Sequence, residues 1–176
     1  MDIKWVELRK KIQEAELVLV GIGEECQYDW SALLQDGRYQ EIEKETEGDE
    51  RYAWIVPFLQ KMILQRGRDE RWDRAYQTLR EMLFGKNYFI VSLCLDDYLY
   101  GAGFDESKIV SPCGGFRMMQ CNKNCAGKLS DMPEKDYEAV LRYYRGEEAL
   151  VSLEEPICEL CGEKLRFNQL GVTSYA

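Results

Sequence analysis

Apolar residues recur along the chain in short runs that predict strands. Leu17–Val20 (LVLV) is a continuous apolar run that ends at Gly21-Ile22-Gly23. A run that stops at glycines is typical of a buried parallel strand at its carboxyl end. Tyr88–Val91 (YFIV) is a second strand candidate, because aromatic and β-branched residues favour strands, and Ile109-Val110 is a third.

The segments between these runs carry apolar residues at helical spacing. Helices are predicted over Trp54–Gln65, over Asp69–Phe84 and over 133–145, and Asp2 is predicted to cap an N-terminal helix. The apolar face of the helix in Asp69–Phe84 consists of Trp72, Tyr76, Leu79 and Leu83. Helices that alternate with strands indicate an α/β fold with a Rossmann-like parallel sheet.

The composition indicates a folded and acidic protein. The 176 residues are 45% hydrophobic and 12% aromatic, which is enough for a packed core and too much for a disordered chain. Thirty-two acidic and 23 basic side chains give a net charge of −9, which disfavours binding to nucleic acids. The sequence has no histidine, so His-based general bases, catalytic dyads and metal sites are excluded.

The N-terminal sequence bears on the cellular location. Met1–Glu7 is charged and lacks the apolar core of a signal peptide. The most apolar stretch, Leu17–Gly23, is much shorter than the ~20 residues that cross a bilayer. We therefore expect a cytoplasmic protein that does not bind membranes, in which cysteines bind metal or stay as thiols.

Two close pairs of cysteines are the strongest chemical signal in the sequence. They have the spacings Cys121-x3-Cys125 and Cys158-x2-Cys161. Two tight turns that each supply two sulfurs can form the tetrahedral thiolate site that Zn²⁺ prefers. The pairs are 32 residues apart, which is more than in a usual zinc ribbon, and the helix predicted over 133–145 explains the excess as an insertion. We predict a structural zinc site; the alternative is four thiols that bind no metal.

Two other segments are candidates for ligand binding. Gly21–Gly23 is half of a dinucleotide-binding fingerprint, although glycines serve equally well in any tight turn. The acidic pair Glu24–Glu25 follows directly and would repel a diphosphate. Ser92, Cys94 and Asp96 follow the second strand, at the edge where open α/β sheets bind ligands. For Cys94 the alternative is a small buried residue, which is the commoner role of cysteine. Asp96 is equally well explained as a helix N-cap.

The order of these motifs resembles that of the sirtuin family of NAD-dependent protein deacylases and ADP-ribosyltransferases. Ser92–Asp96 (SLCLD) is similar to the family's Thr-Gln-Asn-Ile-Asp motif, and Gly101–Asp105 followed by Ile109-Val110 is similar to its Ala-Gly-(x)n-Val segment. Cys158–Asn168 is similar to the second zinc knuckle, and Leu17–Gly23 matches the first Rossmann strand and glycine turn more loosely. The resemblance implies that NAD binds between a Rossmann domain and a zinc module and reacts with an acyl-lysine oxygen.

The resemblance also implies roles for individual residues. Gly21, Ile22 and Gly23 correspond to the phosphate-binding turn, and Asp96 corresponds to the Asp that faces the nicotinamide pocket. Ser92 and Cys94 stand where the family has Thr and Asn, and Cys113, before Gly114, stands where it has its catalytic His.

The departures from the family pattern predict degenerate catalysis. A thiol with an ordinary pKa of about 8.5 is mostly protonated at neutral pH, and the loss of a general base slows a reaction by ~10²–10⁴-fold. The family's Pro-Asp-Phe-Arg segment is not found, and neither is the Rossmann half expected after Asn168.

The sequence therefore predicts a Rossmann-like NAD-binding part over 1–112 that continues at 167–176, and a zinc-binding module over 113–166. The predicted function is NAD or ADP-ribose binding, with an acyl-lysine or other protein substrate. Two alternatives stay open. One is a non-enzymatic interaction domain, stabilised by zinc, whose free sheet edge binds a partner or a second copy. The other is an NAD hydrolase or transferase that uses Asp96 without a histidine.

Overall fold

The computed structural model describes residues 3–26, 29–66, 70–125 and 127–170. The predicted cap at Asp2, the start of a helix at Asp69 and the predicted continuation over 171–176 lie outside these residues. In chain order the elements are α1 (Ile3–Glu14), β1 (Leu17–Ile22), α2 (Ser31–Gln35), α3 (Gly37–Thr46), α4 (Ile55–Arg66), α5 (Glu70–Leu83), β2 (Asn87–Ser92), α6 (Tyr98–Gly101), β3 (Ile109–Val110), β4 (Gly114–Cys121), β5 (Ser130–Asp131), α7 (Glu134–Tyr144) and β6 (Leu165–Gln169). The described residues include no helix with the length and apolar character of a membrane span.

These elements form two compact units. The first unit comprises the described residues of 1–27 and 69–113, and the second comprises those of 28–68 and 114–176. This division differs from the sequence prediction, which counts residues 29–66 with the Rossmann-like part. The physical reason is packing, since α4 contacts α2, α3, α7 and β4.

The first unit contains the predicted parallel sheet. Its strand order is β1-β2-β3, and all neighbours are parallel. Ile22 and Ile90 point to one face and form a buried cluster with Tyr76 and Leu83 of α5, while Trp72 and Leu79 pack against this cluster. The three predicted strands and the predicted apolar face of α5 are therefore confirmed.

The other face of this sheet corrects the prediction that β1 is buried throughout. Leu17 and Leu19 are 60% and 69% exposed, and Phe89, which pairs with Leu19, is 39% exposed. Parallel sheets are normally covered on both faces, and this is why the apolar run predicted burial. Among the described residues, no layer buries these three side chains.

The second unit combines an antiparallel sheet, ordered β5-β4-β6, with helices. Phe58 of α4 lies 4.9 Å from Phe167 of β6, measured between ring centroids, and Phe116 of β4 lies 5.5 Å from Phe167. The buried Lys61 donates a hydrogen bond of 2.7 Å to the carbonyl of Phe116, which joins α4 to β4. This sheet was not predicted, because Cys113-Gly114-Gly115 resembles the end of a strand and not the start of β4.

Candidate functional site

The carboxyl ends of the three parallel strands meet at one edge of the sheet. Ile22, at the end of β1, pairs with Ser92, at the end of β2, and Val110 of β3 pairs with Val91. The backbone N–H of Leu93 donates to the carbonyl of Ile22 at 2.9 Å, so the pairing with β1 continues one residue past the end of β2. The structure therefore brings together the glycine turn and the Ser92–Asp96 segment.

Cys94 links these two segments. Its backbone N–H donates to Ser92 Oγ and its thiol donates to the carbonyl of Gly23, both at 3.2 Å. Ser92, Cys94 and Asp96 are 2%, 4% and 8% exposed. Burial, with smaller contributions from Asp96 and Cys26, raises the pKa of Cys94 to about 11. The Cys94 thiol is therefore protonated at neutral pH and can donate its hydrogen bond. This agrees with the interpretation of Cys94 as a small buried residue.

Sequence reasoning missed Cys26, in the 3-10 turn Glu24–Cys26 that follows the glycines. Its backbone N–H donates to the carbonyl of Gly23 at 3.0 Å, so this carbonyl accepts from both Cys26 and Cys94. The Cys26 side chain also packs against the buried cluster of the first unit. The only feature of the sequence that could have indicated a role for Cys26 is its position shortly after Gly23.

The glycine turn leaves space above the backbone. A methyl group on Gly21 would meet no other heavy atom within 4 Å, and the backbone of Gly21 is not in the left-handed region. The packing of the chain therefore gives no reason for a glycine at this position, whereas the close approach of a ligand would give one. Glu25 has the opposite effect, because its carboxylate lies against Gly23, where it disfavours a diphosphate.

Asp96 and Cys113 come shortly after the ends of β2 and β3 in the sequence. Asp97 occupies the N-cap position of α6, and its side chain makes no capping hydrogen bond there. Cys113 is partly buried and comes three residues after Val110, the last residue of β3.

The four cysteines predicted to bind zinc lie together in the second unit. Their Sγ atoms are all within 4.8 Å of one another. The Sγ–Sγ distance is 3.5 Å between Cys121 and Cys161 and 3.6 Å between Cys125 and Cys158. A tetrahedral site with Zn–S bonds of 2.3 Å has sulfur–sulfur edges of about 3.8 Å. The cluster could therefore hold a metal ion.

Two backbone turns position these sulfurs. Cys121 ends β4, and Asn124, with φ of 48°, turns the chain so that Cys125 faces the cluster. In the second turn the N–H of Gly162 donates to the carbonyl of Cys158 at 2.8 Å. The N–H of Asn122 donates to the carbonyl of Lys164 at 3.0 Å and joins the two turns.

Hydrogen bonds also adjust the acidity of the cluster. The backbone N–H groups of Cys125 and Lys123 lower the pKa of Cys121 to about 7. Hydrogen bonds with Cys161 and Cys158 raise the pKa of Cys125 to about 12. Four thiolates this close repel one another, so a bound cation is needed to stabilise all four together.

No protein-family model and no curated protein matches the sequence. Solved structures do match. A Sir2 homologue mutant in complex with ADP-ribose has a TM-score of 0.59 at 17% identity, covering 98% of this chain and 64% of that chain. A Sir2 homologue in complex with NAD has a TM-score of 0.58 at 17% identity, with coverage of 98% and 62%. Sir2Tm bound to a propionylated peptide has a TM-score of 0.50 at 15% identity, with coverage of 97% and 65%.

These similarities establish a sirtuin-like fold and confirm the predicted fold class. The chain spans less than two thirds of the length of the structures that it matches.

Proposed function

We propose that this chain is a sirtuin-like protein that binds NAD or ADP-ribose at the carboxyl edge of its parallel sheet. The observation that carries the proposal is the meeting of the glycine turn and the Ser92–Asp96 segment at one edge of the sheet, where Gly21 has open space above its backbone. Ligands bind at this edge in open α/β sheets. Two of the structures with the same fold are complexes with NAD and ADP-ribose, which supports this class of ligand.

The residues proposed to hold the dinucleotide are those of the turn and of the second strand end. Backbone N–H groups in Gly21-Ile22-Gly23 would contact the diphosphate, with Ser92, Cys94 and Asp96 towards the nicotinamide end. Bound NAD supplies a ribose carbon whose bond to nicotinamide can break. The buried carboxyl of Asp96 would orient this end of the ligand, and the low exposure of Ser92 and Cys94 would keep water from it.

Cys113 is proposed to occupy the catalytic position, where it is a weak substitute for a histidine base. A thiol of ordinary pKa holds its proton at neutral pH, so it accepts one from a ribose hydroxyl inefficiently. We therefore propose degenerate deacylase or ADP-ribosyltransferase chemistry. The class of protein substrate is acyl-lysine, which a propionylated peptide bound to a protein of the same fold supports.

A structural Zn²⁺ ion is proposed for the four-cysteine cluster. Cys121, Cys125, Cys158 and Cys161 would fill all four positions and leave none for a reacting water molecule. The ion would hold the two turns together beside β4 and β6. The proposed functional parts keep the bounds of the sequence prediction, with NAD at 1–112 and 167–176 and zinc at 113–166, although residues 29–66 and 167–170 pack with the second unit. The proposed location is the cytoplasm, without binding to membranes or nucleic acids.

Calorimetric titration with ADP-ribose tests the ligand site. In Gly21→Val the added side chain fills the open space, so we expect binding to be lost while the unfolding midpoint stays unchanged. The matched control is Gly37→Val, because Gly37 is also exposed, has open space at its Cβ position and lies in the second unit. Equal affinity for wild type and Gly21→Val would mean that the turn binds no dinucleotide.

A second function, a non-enzymatic interaction domain, is favoured by one observation. β1 is the outer strand of its sheet, and Leu17 and Leu19 on it are exposed. Such an edge can pair with a strand of a partner or of a second copy. Under this function Leu19→Lys would abolish capture of a partner in a pull-down and leave ADP-ribose binding unchanged. The reverse pattern would favour the dinucleotide site.

A further inference from the structure

A cavity lies in the first unit, at the amino edge of the parallel sheet, where β2 and β3 begin. Its volume is about 810 Å³, and Arg80, Lys86 and Lys108 are among its lining residues. An adjoining cavity of about 330 Å³ adds Arg9 and shares Glu81, Phe84 and Lys86 with the larger one. The larger volume is within the range of small-molecule sites. We propose that this basic cavity binds a small organic anion, a phosphate or carboxylate carried on a planar apolar body.

The charge of the cavity is opposite to that of the protein. The chain has a net charge of −9, yet four cationic side chains line these two adjoining cavities, with Glu81 as the one acidic residue in the lining. Glu81 accepts a hydrogen bond of 3.2 Å from Gln77. An acidic protein that gathers cations in one cavity creates a local positive potential, and this potential attracts anions.

The hydrogen-bond and ring partners of Arg80, Lys86 and Lys108 are neutral. Lys86 donates to the carbonyls of Gln13 and Ala15 at the end of α1, and Arg80 donates to the carbonyl of Ala102 at 3.4 Å. The Lys108 ammonium lies 4.7 Å from the centroid of the Tyr88 ring. Within the part of the chain that the structure describes, none of the four cations forms an ion pair with a carboxylate. These contacts hold Arg80 and Lys86 in place, while the Asp105 carboxylate is near enough to Lys108 for this cation to help lower the pKa of Asp105.

Aromatic side chains supply the apolar part of the cavity. Phe84 is 88% exposed at a place shared by both cavities, and Tyr88 and Phe104 also line the larger one. The Tyr88 hydroxyl accepts the backbone N–H of Asp105 at 3.1 Å, which fixes its ring beside Lys108. A ring system can pack on these side chains while its anionic group contacts Arg80 and Lys108. This combination favours an aromatic anion over an inorganic one.

Titration with phenyl phosphate, followed by NMR chemical shifts, tests the proposal, with inorganic phosphate in a parallel arm. We expect saturable binding of phenyl phosphate, and weaker binding at 0.5 M salt because screening reduces the attraction at this ionic strength. Arg80→Gln and Lys108→Gln should each weaken binding about threefold, as for exposed charge pairs. Phe84→Ala should weaken the binding of phenyl phosphate and leave the affinity for inorganic phosphate unchanged.

The control is Arg74→Gln, which removes an exposed charge from α5 outside the lining of either cavity. Its affinity should equal that of the wild type. The proposal is overturned if the wild type shows no saturable binding, if Arg74→Gln has the same effect as Arg80→Gln, or if both phosphates bind equally. It is also overturned if Gly21→Val abolishes the binding, since phenyl phosphate would then occupy the proposed dinucleotide edge. ADP-ribose binding is measured in a separate titration, so a failure of the proposed dinucleotide site would not count against the basic cavity.

Discussion

Gly114 is the position where a single methyl group should do the most damage. Its φ is 69°, in the left-handed region, and it pairs with Gln169 across the sheet of the second unit. A Cβ atom at Gly114 would overlap the carbonyl oxygen of Asn168 and lie 3.1 Å from the Cα atom of Gln169. The obstructing atoms belong to the backbone of β6, so they cannot rotate away as a flexible side chain would.

We therefore expect Gly114→Ala to destabilise the protein for two reasons. The left-handed conformation costs a non-glycine residue about 1–2 kcal/mol. Relieving the overlap requires β6 to move away from β4, and forced overpacking of this kind costs about 1–3 kcal/mol. The free energy of unfolding should thus fall by about 2–5 kcal/mol.

Gly146→Ala is the matched control for this substitution. Gly146 follows α7 with φ of 77°, and a Cβ atom there would meet nothing within 4 Å. The control should therefore lose only the conformational part, about 1–2 kcal/mol. Urea unfolding followed by circular dichroism measures both variants. Equal losses for the two variants would refute the steric argument.

Three further predictions follow from the two units. Protein purified without chelators should contain about one zinc ion per chain, and the Cys158→Ser variant should lose this ion. If metal analysis of the wild type finds no zinc, the proposed site is wrong. In the folded protein, iodoacetamide should alkylate Cys94 roughly 100-fold more slowly at pH 7.5 than an unperturbed thiol, because burial raises the pKa of Cys94 from its ordinary value near 9 to about 11 and so depletes the reactive thiolate. Peptide mass spectrometry measures this rate, and rapid labelling of Cys94 would show that it is not buried. The chain should release no appreciable nicotinamide from NAD with an acetyl-lysine peptide, and Cys113→His should restore little. Robust turnover by the wild type would show that Cys113 or Asp96 is a competent base.

Much of the fold could be predicted because its signals are local. The strands at Leu17 and Tyr88 follow from β-branched and aromatic runs, and the four-cysteine cluster follows from spacing alone. Burial and long-range pairing could not be predicted in this way. The exposure of Leu19 depends on what covers the sheet, and β4 depends on Gly114 accepting a left-handed conformation against β6.

The candidate site shows the same division between local and long-range information. The sequence identified the glycine turn and the Ser92–Asp96 segment, whereas the hydrogen bond from Cys94 to the carbonyl of Gly23 depends on the register of β1 and β2. The cation cavity around Arg80 comes from packing between segments that are distant in the sequence, and no local pattern indicates it.

The most direct test of the central claim is the affinity of ADP-ribose for Glu25→Gln. The carboxylate of Glu25 lies against Gly23, where the diphosphate is proposed to bind, so its removal should relieve a repulsion. We expect binding to become about threefold tighter, as for a single exposed charge contact. Glu47→Gln makes the same change of net charge at an exposed position of the second unit and should leave the affinity unchanged. If Glu25→Gln binds ADP-ribose no more tightly than Glu47→Gln does, the diphosphate does not bind at the glycine turn.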